Sequence, residues 1–233
     1  MAASRPLTIA LLGAECTGKS TLSQALAQHL LLPQAPCPKG VALPVLLVPE
    51  CLRAWCERTG RTPQAHEQAD LAQAQTQAIA QAQQRPGVHF VLADTTALTI
   101  AAYSEHYFDD ASLYADALRQ QAGYDLTLLM GLDLPWTPDG LHRDGPADRE
   151  AVDGLLRRQL GAAGLAYRLV YGQGEARTRS ALHAMAALPG LQALAMPETR
   201  SIQTRPWTCE QCSDPDCERR LFSQLLAHPD RRA

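Results

Sequence analysis

Residues Gly13-Ala14-Glu15-Cys16-Thr17-Gly18-Lys19-Ser20 match the pattern G-x-x-x-x-G-K-[ST]. This spacing suits a triphosphate. Backbone N–H groups of such a loop curl around the phosphates, and the helix that follows points its positive end at them. Gly13 and Gly18 permit backbone angles and close approach that a Cβ would block. Lys19 would neutralise charge on the β- and γ-phosphates, and the Ser20 hydroxyl is a candidate Mg²⁺ ligand. Thr21 carries the anion-binding stretch into the helix. Cys16, near a helix N-terminus, reads as a small side chain that fits the loop rather than as a reactive thiol. Lysine is otherwise nearly absent from the chain, at Lys19 and Lys39 alone, yet the loop has one.

Other candidate groups lie at the ends of apolar runs. Asp94 ends Phe90-Val91-Leu92-Ala93 and is placed to hold Mg²⁺; the alternative is a cap on the next helix, a role open to Asp94 or Thr95. Glu50 ends Val45-Leu46-Leu47-Val48. A kinase acting on a hydroxyl gains from a carboxylate that accepts its proton, whereas one acting on a monophosphate needs arginines instead, so Glu50 favours a hydroxyl acceptor. The alternative for Glu50 is a surface carboxylate paired with Arg53. Arg143 and Arg149 lie in or just after the irregular residues 135–145, where a loop closing on the phosphates would bring positive charge. Cys209, Cys212 and Cys217 are spaced C-x₂-C-x₄-C, half of a zinc site, with His228, Cys37 or an acidic side chain as fourth ligand. The alternative is three reduced cysteines in a tail.

The elements that must position these groups follow from the patterning. Residues 7–12 read as a buried parallel strand, and residues 21–32 as a helix with Leu22, Leu26, His29 and Leu30 on one face. The proline-rich residues 33–44 form a loop. Strands are expected at 45–48, 90–93, 126–132 and 165–170, with helices at 51–58, 65–84, 96–107, 112–122, 148–162 and about 175–187. Strands alternating with helices imply a parallel α/β domain of the P-loop NTPase type, a five-stranded sheet flanked by helices. In such sheets ligands sit at the carboxyl ends of the strands, which gathers Glu50, Asp94, Asp133 and Gly172 around the phosphate loop. The expected organisation is a kinase domain over 1–190, a linker over 191–206 and a Cys-rich module over 207–233.

These pieces, in order, resemble the nicotinamide riboside kinase domain of NadR-type proteins. The matching stretches are the phosphate loop through Thr21-Leu22, Val48-Pro49-Glu50-Cys51-Leu52-Arg53, Asp94-Thr95, Tyr107-Phe108, and Asp133-Leu134-Pro135-Trp136 with Asp139-Gly140-Leu141-His142-Arg143. They cover about residues 7 to 188, and the Asp-x-Pro-Trp-x-x-Asp-Gly stretch is the most specific. The resemblance implies transfer of the ATP γ-phosphoryl to the 5′-hydroxyl of nicotinamide riboside, and a nucleoside-monophosphate-kinase-like fold with a lid. The chain departs from the family at Cys51-Leu52, where relatives carry a Tyr and a neighbouring aromatic, and at the extra His142. It starts at the kinase, so a stand-alone enzyme is expected, without the adenylyltransferase and DNA-binding parts of full-length relatives. The nicotinamide ring is a cation, and Trp136, Tyr103, Tyr107 and Asp133 are candidates to receive it. The alternative for Tyr103 and Tyr107, four apart on one helix, is packing.

Composition narrows the classes. A formal net charge of −3 and a sequence pI near 6.1 offer no basic field for nucleic acid. No apolar run approaches the roughly 20 residues a bilayer requires. The first residues lack a signal-peptide pattern, and an odd count of 7 cysteines beside an ATP-type loop points to a reducing cytoplasm. Two other readings share the loop: a kinase for another nucleoside or a monophosphate, and an ATP-dependent regulatory switch whose tail contacts a protein partner.

Overall fold

The computed structural model describes residues 5–31, 43–137 and 145–194. Arg143, Cys37, His142, His228 and the tail cysteines Cys209, Cys212 and Cys217 lie outside these residues, as does the expected Cys-rich module. Five strands, β1 (Leu7–Leu12), β2 (Val45–Val48), β3 (Phe90–Asp94), β4 (Leu126–Met130) and β5 (Arg168–Val170), form one parallel sheet in the order β2-β3-β1-β4-β5. Its helices are α1 (Lys19–Leu31), α2 (Cys51–Thr59), α3 (Gln68–Gln83), α4 (Ala97–Phe108), α5 (Tyr114–Gln121), α6 (Pro146–Ala162) and α7 (Gly174–Met185).

The sheet is covered on both faces, which is why its strands are mostly apolar, with Thr8, Asp94, Thr127 and Arg168 the polar residues in them. Alternate side chains sort to opposite layers. Ile9, Leu11, Phe90, Leu92, Leu128 and Met130 pack with Leu22, Leu26 and Leu30 of α1 and with Leu182 and Met185 of α7. Leu12 and Leu129 pack with Leu98 and Ile100 of α4 and with Val152 and Leu156 of α6. Val91 and Ala93 meet Ile79 and Ala82 of α3. β1 therefore lies at the centre of the sheet with its carboxyl end leading into the phosphate loop, where the strand order reverses direction.

Element ends differ from the sequence expectation for local reasons. The stretch 65–84 divides into a 3₁₀ turn (Ala65–Glu67) and α3, because Gln64 and Glu67 form a reciprocal capping box. α1 begins at Lys19 rather than Thr21, and α6 at Pro146, a proline at the first turn where no N–H is needed. β4 stops at Met130 and β5 starts at Arg168, since only those residues find partners in the ladder. His29, expected on the buried face of α1, is half-buried, while Leu22, Leu26 and Leu30 are buried.

Candidate active site

The phosphate loop is held open by its own polar groups. Lys19 Nζ donates to the carbonyls of Gly13 (2.8 Å) and Ala14 (2.9 Å), and Thr17 Oγ1 donates to the Ala14 carbonyl at 2.7 Å. Gly13 has φ +151°, and a Cβ there would stand 2.9 Å from Met130 Cβ; Gly18 has φ +78° and no room beside Leu134. Both glycines are thus required by backbone angle and by close approach. Cys16 adopts φ +54°, and its Sγ donates to the Thr137 carbonyl at 3.1 Å.

Lys19, Ser20 and Thr21 line a cavity of about 1330 Å³ together with Glu15, Glu50, Arg53, Gln68, Tyr103 and Tyr107. That volume exceeds what a single drug-sized ligand fills, about 300–1,000 Å³. A second cavity of about 500 Å³ lies between α1 and α7, beside Gly18, Thr21 and Arg177.

The larger cavity has an acidic and aromatic wall. Tyr103 Oη donates to Glu15 Oε2 at 3.1 Å, and Tyr103 and Tyr107 stack with ring centroids 6.2 Å apart. Burial, reinforced by the charges of Glu15 and Glu50, pushes the Tyr103 hydroxyl well above its ordinary range, so it stays a donor. Glu15 Oε1 is buried with no hydrogen-bond partner among the described residues. Glu50 is 14% exposed and stands 3.8 Å from Arg53. It therefore lies on the cavity wall beside Arg53 and is not a surface carboxylate. Cys51 and Cys56 flank it, and burial, then the Glu50 charge, raises both thiols out of the reactive range.

Asp94 ends β3 opposite Leu11 of β1, beside the start of the loop. It is 6% exposed, and its Oδ1 has no partner among the described residues. The helix cap falls instead to Thr96, whose Oγ1 accepts the Leu98 N–H at 3.2 Å. A buried, unpaired carboxylate oxygen is costly unless something binds it. With the Ser20 hydroxyl, it fits the oxygen preference of Mg²⁺. No three His, Cys, Asp or Glu side chains converge among the described residues, so a metal here would rest on these two groups and on phosphate oxygens.

Two of the expected site residues lie off the larger cavity, and a third, Arg149, lies just after residues 135–145 as the sequence suggests. Asp133 is not on the wall of the larger cavity. Its carboxylate accepts the Gly172 N–H at 2.6 Å and an Arg177 Nη1 proton at 3.0 Å. Trp136 is half-buried and off that wall too, although Leu134, Pro135 and Thr137 line it. Arg149 lies on the first turn of α6, 4% exposed. Its Nη1 donates to the Leu134 carbonyl at 2.8 Å, while Nε and Nη2 have no partner among the described residues.

The sequence reading missed Arg177, Gln68 and Gln75. Arg177 donates to the carbonyls of Thr17 (2.8 Å), Gly131 (3.3 Å) and Gly172 (2.7 Å), tying the phosphate loop to the ends of β4 and β5. Gln68 is 3% exposed on the cavity wall, with Oε1 lacking a partner among the described residues. Gln75 is fully buried. The available signal was a polar residue on an otherwise apolar stripe: Gln68 and Gln75 with Leu71, Ala72, Ile79 and Ala82, and Arg177 with Ala181, Leu182 and Met185.

Comparison with known proteins places this arrangement. The structure is similar to NadR protein in complex with NR, with a TM-score of 0.62 and 20% identity, over 79% of this chain and 51% of that one. A second NadR structure, in complex with NAD and AMP-PNP, gives a TM-score of 0.61 and 20% identity over 84% and 51%. The chain thus spans about half the length of these NadR structures. The deoxyadenosine kinase of M. mycoides, with products bound, matches at 0.52 and 12% identity, over 78% of this chain and 100% of that one. Thymidylate kinase of Ehrlichia chaffeensis matches at 0.51 and 15%, over 73% and 89%. These likenesses establish the fold, a parallel P-loop sheet of the nucleoside-monophosphate-kinase kind. No curated protein sequence matches the chain. No helix among the described residues is long and apolar enough to cross a membrane. The family described as AAA domain matches residues 8–177, most of the chain and all of its phosphate loop, and the protein belongs to that family.

Proposed function

We propose that the protein is an ATP-dependent kinase that phosphorylates a nucleoside hydroxyl, with the 5′-hydroxyl of nicotinamide riboside as acceptor and nicotinamide mononucleotide as product. The observation that carries the reading is the shared cavity, in which the phosphate loop faces a wall of Glu15, Glu50, Tyr103 and Tyr107. Its arginines already face carboxylates. Arg61 makes two bonds of 2.7 Å to Glu67, and Arg53 lies beside Glu50. Such a wall suits an uncharged or cationic acceptor better than a monophosphate. The likeness to a NadR structure bound to NR supports the same acceptor.

In this reading the triphosphate lies along residues 13–21, with its nucleoside end towards the smaller cavity between α1 and α7. Lys19 turns from its loop carbonyls to the phosphate oxygens. Mg²⁺, held by Ser20 and Asp94, would offset charge on the phosphates. Glu50 accepts the proton of the acceptor hydroxyl as its oxygen bonds to the γ-phosphorus, and the bond to the β-phosphate oxygen breaks to release ADP. Arg149, with two unpaired donors, stabilises the transferring group. Gln68 offers its amide to the base. The same reading includes function in the cytoplasm without a nucleic-acid partner, supported by the odd cysteine count and the net charge of −3.

The test is a panel of acceptors with Mg-ATP: nicotinamide riboside, thymidine, cytidine, uridine and thymidylate, with products identified by mass. Nicotinamide mononucleotide is the expected product. Phosphorylation of thymidylate alone would overturn the hydroxyl reading, and ATP turnover with no acceptor would favour a regulatory switch.

A further inference from the structure

Gln75 touches neither cavity, yet it holds the backbone on which both acidic groups stand. Its Oε1 accepts the Cys51 N–H at 2.8 Å, and its Nε2 donates to the Pro49 carbonyl at 3.3 Å. These contacts bracket Glu50, one on each side. The same Nε2 donates to the Thr95 carbonyl at 3.3 Å, one residue beyond Asp94. A single buried amide on α3 thus fixes the turn after β2 and the turn after β3.

The second turn needs fixing. Thr95 is fully buried and has φ +86°, a left-handed angle that a β-branched residue rarely adopts. Such strain persists only where the surroundings over-determine it, and it gathers at functional sites. Here the Thr95 N–H donates to the Leu11 carbonyl at 3.1 Å and its carbonyl accepts from Gln75, so both sides of the residue are tied. Thr96 Oγ1 then donates to Gln121 Oε1 at 2.8 Å, holding the next residue from α5. The bend takes the chain out of the ladder directly after Asp94, which is still paired with Leu11, where β1 opens into the phosphate loop.

We propose that Gln75 is a positioning residue that sets Glu50 and Asp94 in register, aligning the acceptor-side carboxylate with the metal-side carboxylate. The proposal rests on the kinase reading for the role of Glu50, and on the Mg²⁺ assignment for Asp94. Groups that orient a metal ligand or catalytic residue from behind cost about 10- to 100-fold when removed.

The experiment compares Gln75→Ala, Gln75→Glu and, as a control on the same helix, Ile79→Ala. Each is measured for melting temperature, for affinity towards a fluorescent ATP analogue with and without Mg²⁺, and for kcat and KM with the acceptor. In Gln75→Ala we expect metal-free affinity to hold, the gain in affinity from Mg²⁺ to fall about tenfold, and kcat to fall by at least as much with KM little changed. Ile79→Ala should melt earlier while keeping its Mg²⁺ gain and kcat. Gln75→Glu retains the length and the Cys51 contact but removes both amide donors, so it should repeat the Gln75→Ala pattern. A folded Gln75→Ala with Mg²⁺ gain and kcat like wild type overturns the proposal, as does failure of both variants to fold, which would make Gln75 a stability residue only. If wild type phosphorylates no acceptor in the panel, the acceptor reading fails, and the Mg²⁺ arm still decides the role of Gln75 at Asp94.

Discussion

Lys19 is stowed inside the loop it serves, bonded to two of the carbonyls that shape it. Lys19→Ala should leave the melting temperature near wild type and abolish turnover. Retention of more than about a tenth of the rate, a loss under roughly 1.4 kcal/mol, would refute the assigned role. Glu50→Gln separates two uses of one carboxylate. As proton acceptor it should cost about 10²- to 10⁴-fold in kcat with ATP affinity unchanged; a change confined to the acceptor KM would make it a binding group instead. Both residues were legible because their signals are local: one lies inside a contiguous motif, the other ends an apolar run. Arg177 and Gln75 were not legible, because their partners are remote. Arg177 meets Thr17 across 160 positions, and Gln75 reaches Pro49 and Thr95 across 26 and 20. Gln75 is also camouflaged by the repetitive Ala and Gln around it. Asp133 also has remote partners that the sequence did not reveal, a buried arginine 44 positions away and the Gly172 N–H 39 positions away.

At the scale of elements, periodicity served well where burial is two-sided or one-faced. All five strands and the main helices appear where apolar runs and stripes place them, and the differences lie at ends, where capping decides. The turn from α2 into α3 shows the point. Arg61 lies over the Trp55 ring with its Cζ 4.7 Å from the centroid and grips Glu67, whose carboxylate also accepts the Gln64 N–H. The Arg61 side-chain bond, then the Gln64 bond, lowers the Glu67 carboxyl from 4.5 to about 2. A carboxylate whose pKa is depressed by folding contributes stability above its ordinary value and loses that contribution as pH falls through the folded one. This rim of the cavity should therefore loosen between pH 4.5 and about 2, seen as a shift of the Trp55 indole NMR signal. Glu67→Gln should lack that transition. An identical acid profile in both proteins would mean that the ion pair does not organise the rim.

For the whole molecule, the structure predicts linkage between nucleotide and stability. A ligand at 100 times its Kd adds about 2.7 kcal/mol, which for a domain of this size raises Tm by about 5–10 °C. Mg-ATP should produce such a shift in wild type, and Lys19→Ala should lose most of it; an equal shift in both would place the nucleotide away from the loop. Fold class was the most legible property at this scale, since the alternation of strands and helices permits few topologies. The acceptor was the least legible, because a cavity wall assembles Glu15, Glu50, Gln68 and Tyr103 from four separate stretches.

The clasp of Arg177 on Thr17 also bears on how the protein is born. Synthesis proceeds from the N-terminus at about 5–20 residues per second, so the 160 positions between the two correspond to roughly 8–30 s on the ribosome. During that interval the nascent chain carries the phosphate-loop sequence without the contact that ties it to β4 and β5. The loop gains that tie only once α7 has been made, and α7 also supplies Ala181, Leu182 and Met185 to the core. Ribosome-bound chains stalled before Gly174 is made should fail to retain an ATP analogue, and chains stalled with α7 clear of the exit tunnel should capture it.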